Sequence, residues 1–322
     1  MTKLAKKYWL HTLFLSLLLT ISACTTAPHT STSQANKKLS LQTARYAHAT
    51  ATDGKLIYVF AGSQGGQFLS DIEIINPQTG AVKVLRDKVI PRRYFSAVWD
   101  GHNSIYLIGG LSVVDGEPKL ERRVEVFDLL TQQITFAKPT PGPRRNSRSV
   151  FLDGRIYVMG GSFPNKENNY QLKSTATTAV YDIAQNTWTK LADMPSAKTT
   201  AAVVQNGKIY VAGGFNHSTA LNVFERYDPL TNEWQTLSPL PQNMSAHSAA
   251  VLNNKLVLFG DYDNLNATLL YDFDSQTWSQ PEINFQGTRH STATTTADFI
   301  YVVGGNINSK GESLDVIQSF SL

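Results

Sequence analysis

The stretch Asn206 to Gly214, NGKIYVAGG, recurs in near copies along the chain: DGKLIYVFAG from Asp53, DGHNSIYLIGG from Asp100, DGRIYVMGG from Asp153, NNKLVLFGD from Asn253 and ADFIYVVGG from Ala297. A phrase used six times is architecture before it is chemistry. Its apolar residues are consecutive, not alternate, so both faces of each short strand must be buried. Taking the second glycine of each pair, or the residue in its place, as a marker gives Gly62, Gly110, Gly161, Gly214, Asp261 and Gly305, spaced by 48, 51, 53, 47 and 44 residues. Periods of this length belong to propellers and solenoids, whose units bury their faces only by stacking on one another.

A second signature follows each marker, clearest as YDIAQNTW from Tyr181, YDPLTNEW from Tyr227 and YDFDSQTW from Tyr271, with weaker copies INPQTGAV from Ile75 and FDLLTQQI from Phe127. Its fixed seven-residue span around Asp, Asn, Thr and Gly predicts a tight turn between two strands. Each repeat then holds four strands: a Ser/Thr/Ala-rich one such as TTAAVV, the IYV strand, one like VFERYD and one like WQTL.

Gly-Gly after an apolar strand, then Tyr-Asp, then Trp, resembles the kelch repeat over residues 38–322. The copies depart from it at Ala61, at Asp261 and in the Trp absent from the first, second and sixth repeats. The resemblance implies an all-β, six-bladed β-propeller. The last repeat stops at Leu322 inside its third strand, while KKLSLQT, residues 37–43, is a strand without a repeat. These are expected to pair, the N-terminal strand completing the last blade and closing the ring.

Three lysines (Lys3, Lys6, Lys7) precede an apolar run ending in ISAC, which reads as an export signal over residues 1–23. ISAC resembles the lipobox of bacterial lipoproteins, and that resemblance implies lipidation at Cys24, the single cysteine. The expectation is a flexible Thr/Ser-rich tether over residues 24–36, a propeller over 37–322, and a bacterial envelope location facing the periplasm from the outer membrane, with membrane contact through the lipid alone. One cysteine excludes internal disulfides. Of 29 Lys+Arg, three lie in the signal, and none of the 25 Asp+Glu does, so 26 basic residues face 25 acidic ones in the remainder. Such a balance argues against a nucleic-acid partner.

Antiparallel strands place the 2-to-3 and 4-to-1 connections on one face. The interval from the marker to the second signature varies there (13, 17, 20, 13, 10 and 15 residues), while the other face keeps constant turns. Variable loops on a fixed scaffold suit recognition. Eight residues before the turn Asp or Asn of the first five phrases, and before Ala297 of the sixth, stand Arg45, Arg92, Arg145, Lys198, Ser245 and Arg289. These basic residues are expected to ring the channel mouth, either binding carboxylates, sulfates or acidic sugars or hydrogen-bonding neighbouring loop carbonyls as kelch repeats commonly do. His48, His247 and His290 are candidate polar groups of the channel, without metal-site spacing. No Asp or Glu lies in the six inner strands, so a paired-carboxylate mechanism could draw only on loop acids: Glu117, Glu121, Glu167 and Glu312.

The expectation is a monomeric binding module for a protein or acidic glycan, with no cofactor and no metal. The alternative is a sugar epimerase or mutarotase, since the chain is distantly similar to the exported kelch-type N-acetylneuraminate epimerases; Arg45, Arg92, Arg145 and Arg289 would then hold a carboxylate while a loop Glu or inner His moves the proton. Similarity to kelch-type galactose oxidases fails at their Tyr-Cys crosslink.

Overall fold

A computed structural model describes residues 38–322. The expected signal, the tether and Cys24 lie outside the described residues. Six four-stranded antiparallel sheets follow the repeat. Blade 4 shows the pattern, with Thr199–Gln205 innermost, then Lys208–Phe215, Ala220–Asp228 and Glu233–Thr236. In blade 6 the strands Thr292–Thr295, Ile300–Val303 and Val316–Phe320 are completed by Leu39–Ser40, with Leu39 opposite Ile317 and Ser40 opposite Val316. The N-terminal segment thus fills the missing outer position, as its sequence predicted.

Apolar cores lie between the sheets. Phe60 and Ile72 of blade 1 pack with Leu107 and Phe127 of blade 2, and like clusters join each later pair. Leu39, Leu41, Tyr301 and Ile317 meet Ile57 and Val59, so blade 6 packs on blade 1. All four residues of Ile57–Phe60 and of Ile300–Val303 are buried, as consecutive apolar positions require.

The second signature also acts between blades. Tyr181 and Trp188, Tyr227 and Trp234, and Tyr271 and Trp278 pack with ring centroids 5.0 Å apart. Each tryptophan Nε1 donates to a carbonyl of the preceding blade: Lys138 at 2.9 Å, Ala192 at 3.0 Å and Ser238 at 3.4 Å. The Asp after each tyrosine accepts turn N–H groups, as Asp182 Oδ1 does from Gln185 and Asp272 Oδ1 from Ser275.

The paired glycines lie where one blade meets the next. Gly109 and Gly110 have φ of 75° and 99°. A Cβ on Gly109 would stand 2.8 Å from the Arg144 carbonyl of blade 3, and one on Gly110 2.8 Å from the Phe95 Cβ of its own blade. Only glycine permits both approaches in that backbone conformation. Where the pattern breaks, Ala61 adopts φ 47°, and Asp261 accepts the N–H groups of Ser245, Asp263 and Asn264.

Removing residues 38–43 strips Leu39 and Leu41 from the junction of blades 6 and 1. At about 1.5–3 kcal/mol for each buried large apolar side chain, the midpoint of thermal unfolding should drop measurably in calorimetry. An unchanged midpoint contradicts the closing role.

Candidate functional site

Six innermost strands converge on a channel of about 100 Å³, lined by small residues such as Thr50, Ala97, Ser149, Ala202, Ala249 and Ala293. The chain leading into each strand crosses one face of the disc, where the 2-to-3 hairpins also stand. Leu111–Val114 and Glu117–Leu120 pair in blade 2, and Ser162–Pro164 and Leu172–Ser174 in blade 3.

The basic residues that the sequence set in one ring occupy two successive positions. At the first, the carbonyl accepts the N–H of the preceding blade's glycine: Gly305 to Arg45 at 2.9 Å, Gly62 to Arg92 at 2.9 Å, Gly110 to Arg144 at 3.0 Å and Gly161 to Lys198 at 2.9 Å. At the second stand Tyr46, Arg93, Arg145 and Arg289, one residue further on. The cause of the mixed register is the turn. Asp53 directly follows Thr52, which pairs with Ile57, whereas Asp153 stands two residues after Phe151, which pairs with Ile156. Counting back from Asp153 therefore reaches Arg145, and the structural counterpart of Arg45 is Arg144.

Three of the four first-position cations, Arg45, Arg92 and Lys198, are buried and ion-paired; the fourth, Arg144, is buried with no ion pair among the described residues. Arg45 is fully covered and donates to Asp71 Oδ2 at 2.9 Å, Glu73 Oε1 at 2.5 Å and the Ala61 carbonyl at 2.9 Å. Arg92 pairs with Glu125 and donates to Gly109 O. Lys198 pairs with Glu225 and reaches Ser196 Oγ at 2.7 Å. For Arg45, Arg92 and Lys198 this corrects the ligand-binding reading of the ring in favour of hydrogen bonds inside the protein: Arg45 and Arg92 bind carbonyls and carboxylates of their own blade, Lys198 a carboxylate and a hydroxyl, and Ser245 contributes no cation.

The second position is different. Arg145 lies over the Tyr94 ring at 4.8 Å, Arg289 over Tyr262 at 3.9 Å, and Arg93 over Phe68 at 4.9 Å. Arg93 also donates to the Tyr46 hydroxyl at 3.2 Å and Arg289 to the Tyr262 carbonyl at 2.6 Å. A fourth guanidinium, Arg148, lines the channel where the other blades place Ala49, Ser96, Ser248 and Thr292. Among the described residues none of these four makes an ion pair. Burial pulls Arg145 and Arg148 below the usual guanidinium range.

His290 stands among them, its ring 5.4 Å from Tyr94, 6.2 Å from Tyr262 and 6.5 Å from Tyr46. Desolvation, then the charges of Arg289, Arg148, Arg145 and Arg93, lowers its pKa to about 3. Tyr94 and His290 hold φ of 60° and 53°, in a left-handed stretch whose amides run around the mouth: Tyr94 to Ala47 O, Ala47 to His290 O and His290 to Ala246 O. His217, lowered by burial and by Arg145, stands near the same group.

His48 and His247 belong to the wall. His247 Nε2 donates to Ala212 O at 3.0 Å, and His48 Nε2 meets Thr292 Oγ1 at 2.8 Å. Burial first, with Arg45 and Arg148 adding for His48, puts their pKa values at about 3 and about 4. Of the loop acids, Glu121 is tied to Arg123 and held at about 2, Glu312 accepts from Asn308, and Glu117 and Glu167 are exposed. Among the described residues none of these acids is hydrogen-bonded to a channel histidine, and no group of three His, Cys, Asp or Glu could hold a metal.

Sequence reasoning reached Arg145, Arg289 and His290 but passed over Arg93, Arg148 and the three tyrosines. Arg148 carried a usable signal as the one charged residue in the inner stretches.

A kelch propeller with a cationic, aromatic mouth is the class this geometry defines. The chain belongs to the kelch-repeat family: the KLHDC2/KLHL20/DRC7 Kelch-repeats domain matches residues 22–198, 80–260 and 192–322. Relatives include Kelch-like protein 23 of Homo sapiens, 28% identical over 67% of this chain and 37% of that protein. Kelch-like protein terF of Aspergillus terreus is 26% identical over 67% of this chain and 50% of its own length. Beta-scruin of Limulus polyphemus is 27% identical over 71% and 26% respectively. The chain thus spans half or less of the length of these relatives. They come from animals and a fungus, which overturns the expected bacterial outer-membrane location.

Two outcomes follow. Glu125→Ala, which leaves Arg92 buried without its counter-charge, should cost about 3–5 kcal/mol in urea unfolding, whereas Arg145→Ala, losing one cation–π contact, should cost about 1 kcal/mol. Above pH 6.5 the histidines are neutral folded and unfolded. Below it the unfolded chain takes up protons that His48 and His247 refuse, so stability falls progressively from pH 6.5 toward 4. A His48→Gln, His247→Gln variant should show a flatter thermal midpoint over that window.

Proposed function

We infer that this propeller is a binding module that takes an acidic segment of a protein partner at the channel mouth. The observation that carries the reading is the set of four guanidiniums, Arg93, Arg145, Arg148 and Arg289, that make no ion pair within the described chain. Arg93, Arg145 and Arg289 are backed by aromatic faces and Arg148 is desolvated in the channel wall, which strengthens attraction for a carboxylate more than a water-exposed lysine would. Tyr94 and Tyr262 add flat contact surface with few torsions to immobilise, a common composition of binding hot spots.

Neutral histidines fit the same reading. At pH 7 His290 adds no charge of its own, so the mouth's potential is set by arginine and stays constant through the physiological range. The blade 2 and blade 3 hairpins stand beside this surface and supply the contacts that would select among acidic partners. Kelch-repeat relatives, among them beta-scruin and the Kelch-like proteins, support a propeller used for protein binding.

Fluorescence polarisation of a labelled oligoglutamate peptide against the protein tests the proposal, with an oligoglutamine peptide as control. The acidic peptide should bind, weaken with salt, and lose at least about tenfold in affinity in an Arg145→Ala, Arg289→Ala variant. Parallel titration with N-acetylneuraminate and glucuronate separates peptide from sugar recognition. Preference for the sugars would replace the protein partner by an acidic glycan, and failure of every acid to bind would retire the site.

A further inference from the structure

Blade 3 departs from its neighbours at one residue, and the departure opens a cavity beside a buried cation. In blades 1, 2 and 4 the third strand carries a glutamate at a fixed register against the second: Glu73 opposite Val59, Glu125 opposite Leu107 and Glu225 opposite Val211. Each meets the buried cation of its own blade, Arg45, Arg92 or Lys198. Each also accepts from the segment leading into the blade, from Gln42 and Thr43 N–H, from Ile90 N–H and from Ser196 Oγ respectively.

At the same register blade 3 has Ala179, opposite Val158. Its cation is retained. Arg144 is 7% exposed and donates to Gly160 O at 3.0 Å, Thr177 O at 2.9 Å and Gly142 O at 3.3 Å. Among the described residues it makes no ion pair. Burial lowers its pKa, with only Asp193 opposing. The internal symmetry of the molecule therefore sets a guanidinium against the place, at Ala179, where three sister blades hold a carboxylate.

That place opens outward. Arg144 and Ala179 line a cavity of about 800 Å³ whose walls are largely apolar, formed by Leu120, Phe163, Tyr170 and Trp188 with prolines of the surrounding loops, and with Lys166 and Lys190 also on its lining. A narrower recess bounded by Gly109, Gly142, Arg144, Ala179 and Trp188 lies next to it. An apolar hollow of this size with a buried charged group, Arg144, and two lysines on its lining has the form of a small-molecule site.

We propose that the space between blades 2 and 3 binds a small monocarboxylate with an apolar body, its carboxylate set against Arg144 as the glutamates are set against the cations of the sister blades. The apolar body lies on Trp188 and Phe163, and Arg144 gives the carboxylate a charge-assisted hydrogen bond. The site is separate from the channel mouth and does not depend on its ligand.

The test uses 4-phenylbutyrate as probe and 4-phenylbutyramide as its uncharged counterpart, followed by the Trp188 indole resonance in the full-length protein. The acid should shift that resonance saturably, and the amide should bind at least about tenfold more weakly. Ala179→Glu places an internal carboxylate against Arg144; this variant should unfold roughly 2–4 °C higher and lose the acid. Arg144→Gln should also lose it, and if that variant does not fold, Ala179→Glu decides alone. The Arg145→Ala, Arg289→Ala variant should bind the probe as the parent does, which separates this site from the mouth. Equal binding of acid and amide, no binding of either, undiminished acid binding by Ala179→Glu, or a lowered midpoint in that variant would each overturn the proposal.

Discussion

The hydrogen bond from the glycine N–H at the end of the second strand to the chain leading into the next blade, made by Gly62, Gly110, Gly161, Gly214 and Gly305, constrains the rest of the molecule. It brings two backbones so close that a side chain would collide with a carbonyl, and it holds in the left-handed region a residue that only glycine occupies without strain. Because Gly305 makes the same bond to Arg45 that Gly62 makes to Arg92, the junction of the last blade with the first is built like the others. Packing follows from that spacing. Sheets held so near bury both faces of every IYV strand, and the tryptophans reach back to the preceding blade.

The same contact divides the charges. A residue whose carbonyl accepts the glycine N–H has its side chain under the crossing chain, where a cation must be paired. Glu73, Glu125 and Glu225 meet that requirement in three blades; in blade 3 carbonyls meet it for Arg144. The next residue emerges at the channel mouth, where Arg93, Arg145 and Arg289 lean on aromatic rings. Basic residues one residue apart in register thus differ in surroundings: Arg45, Arg92 and Lys198 are ion-paired inside their blades, and Arg93, Arg145 and Arg289 are left on aromatic rings with no ion pair among the described residues.

The fold was legible because it is written repeatedly. Six apolar phrases, a constant turn and an orphan N-terminal strand sufficed to place the blades and the strand that completes the last one. The site was legible only in part, since the distinction between Arg92 and Arg93, or between Arg144 and Arg145, rests on one residue of register. Asp53 and Asp153 occupy different places in turns that look alike in sequence, and that shift merged two positions into one ring. The glutamates that identify the buried set stand two residues before Ile75, Phe127 and Tyr227, a spacing visible in the sequence but meaningful only once both strands are paired. The export-signal reading concerned residues outside the described part, and the envelope location built on it gives way to relatives from animals and a fungus.

Native-state hydrogen exchange of the backbone amides tests the ring most directly. If the glycine contact closes the junction of blades 6 and 1 as it closes those after blades 1, 2 and 3, the amides of Gly305 and Ala47 exchange as slowly as those of Gly62, Gly110 and Gly161, all through global unfolding. Exchange at Gly305 and Ala47 faster by orders of magnitude, with the other junctions protected, would mean an arc held open at its ends.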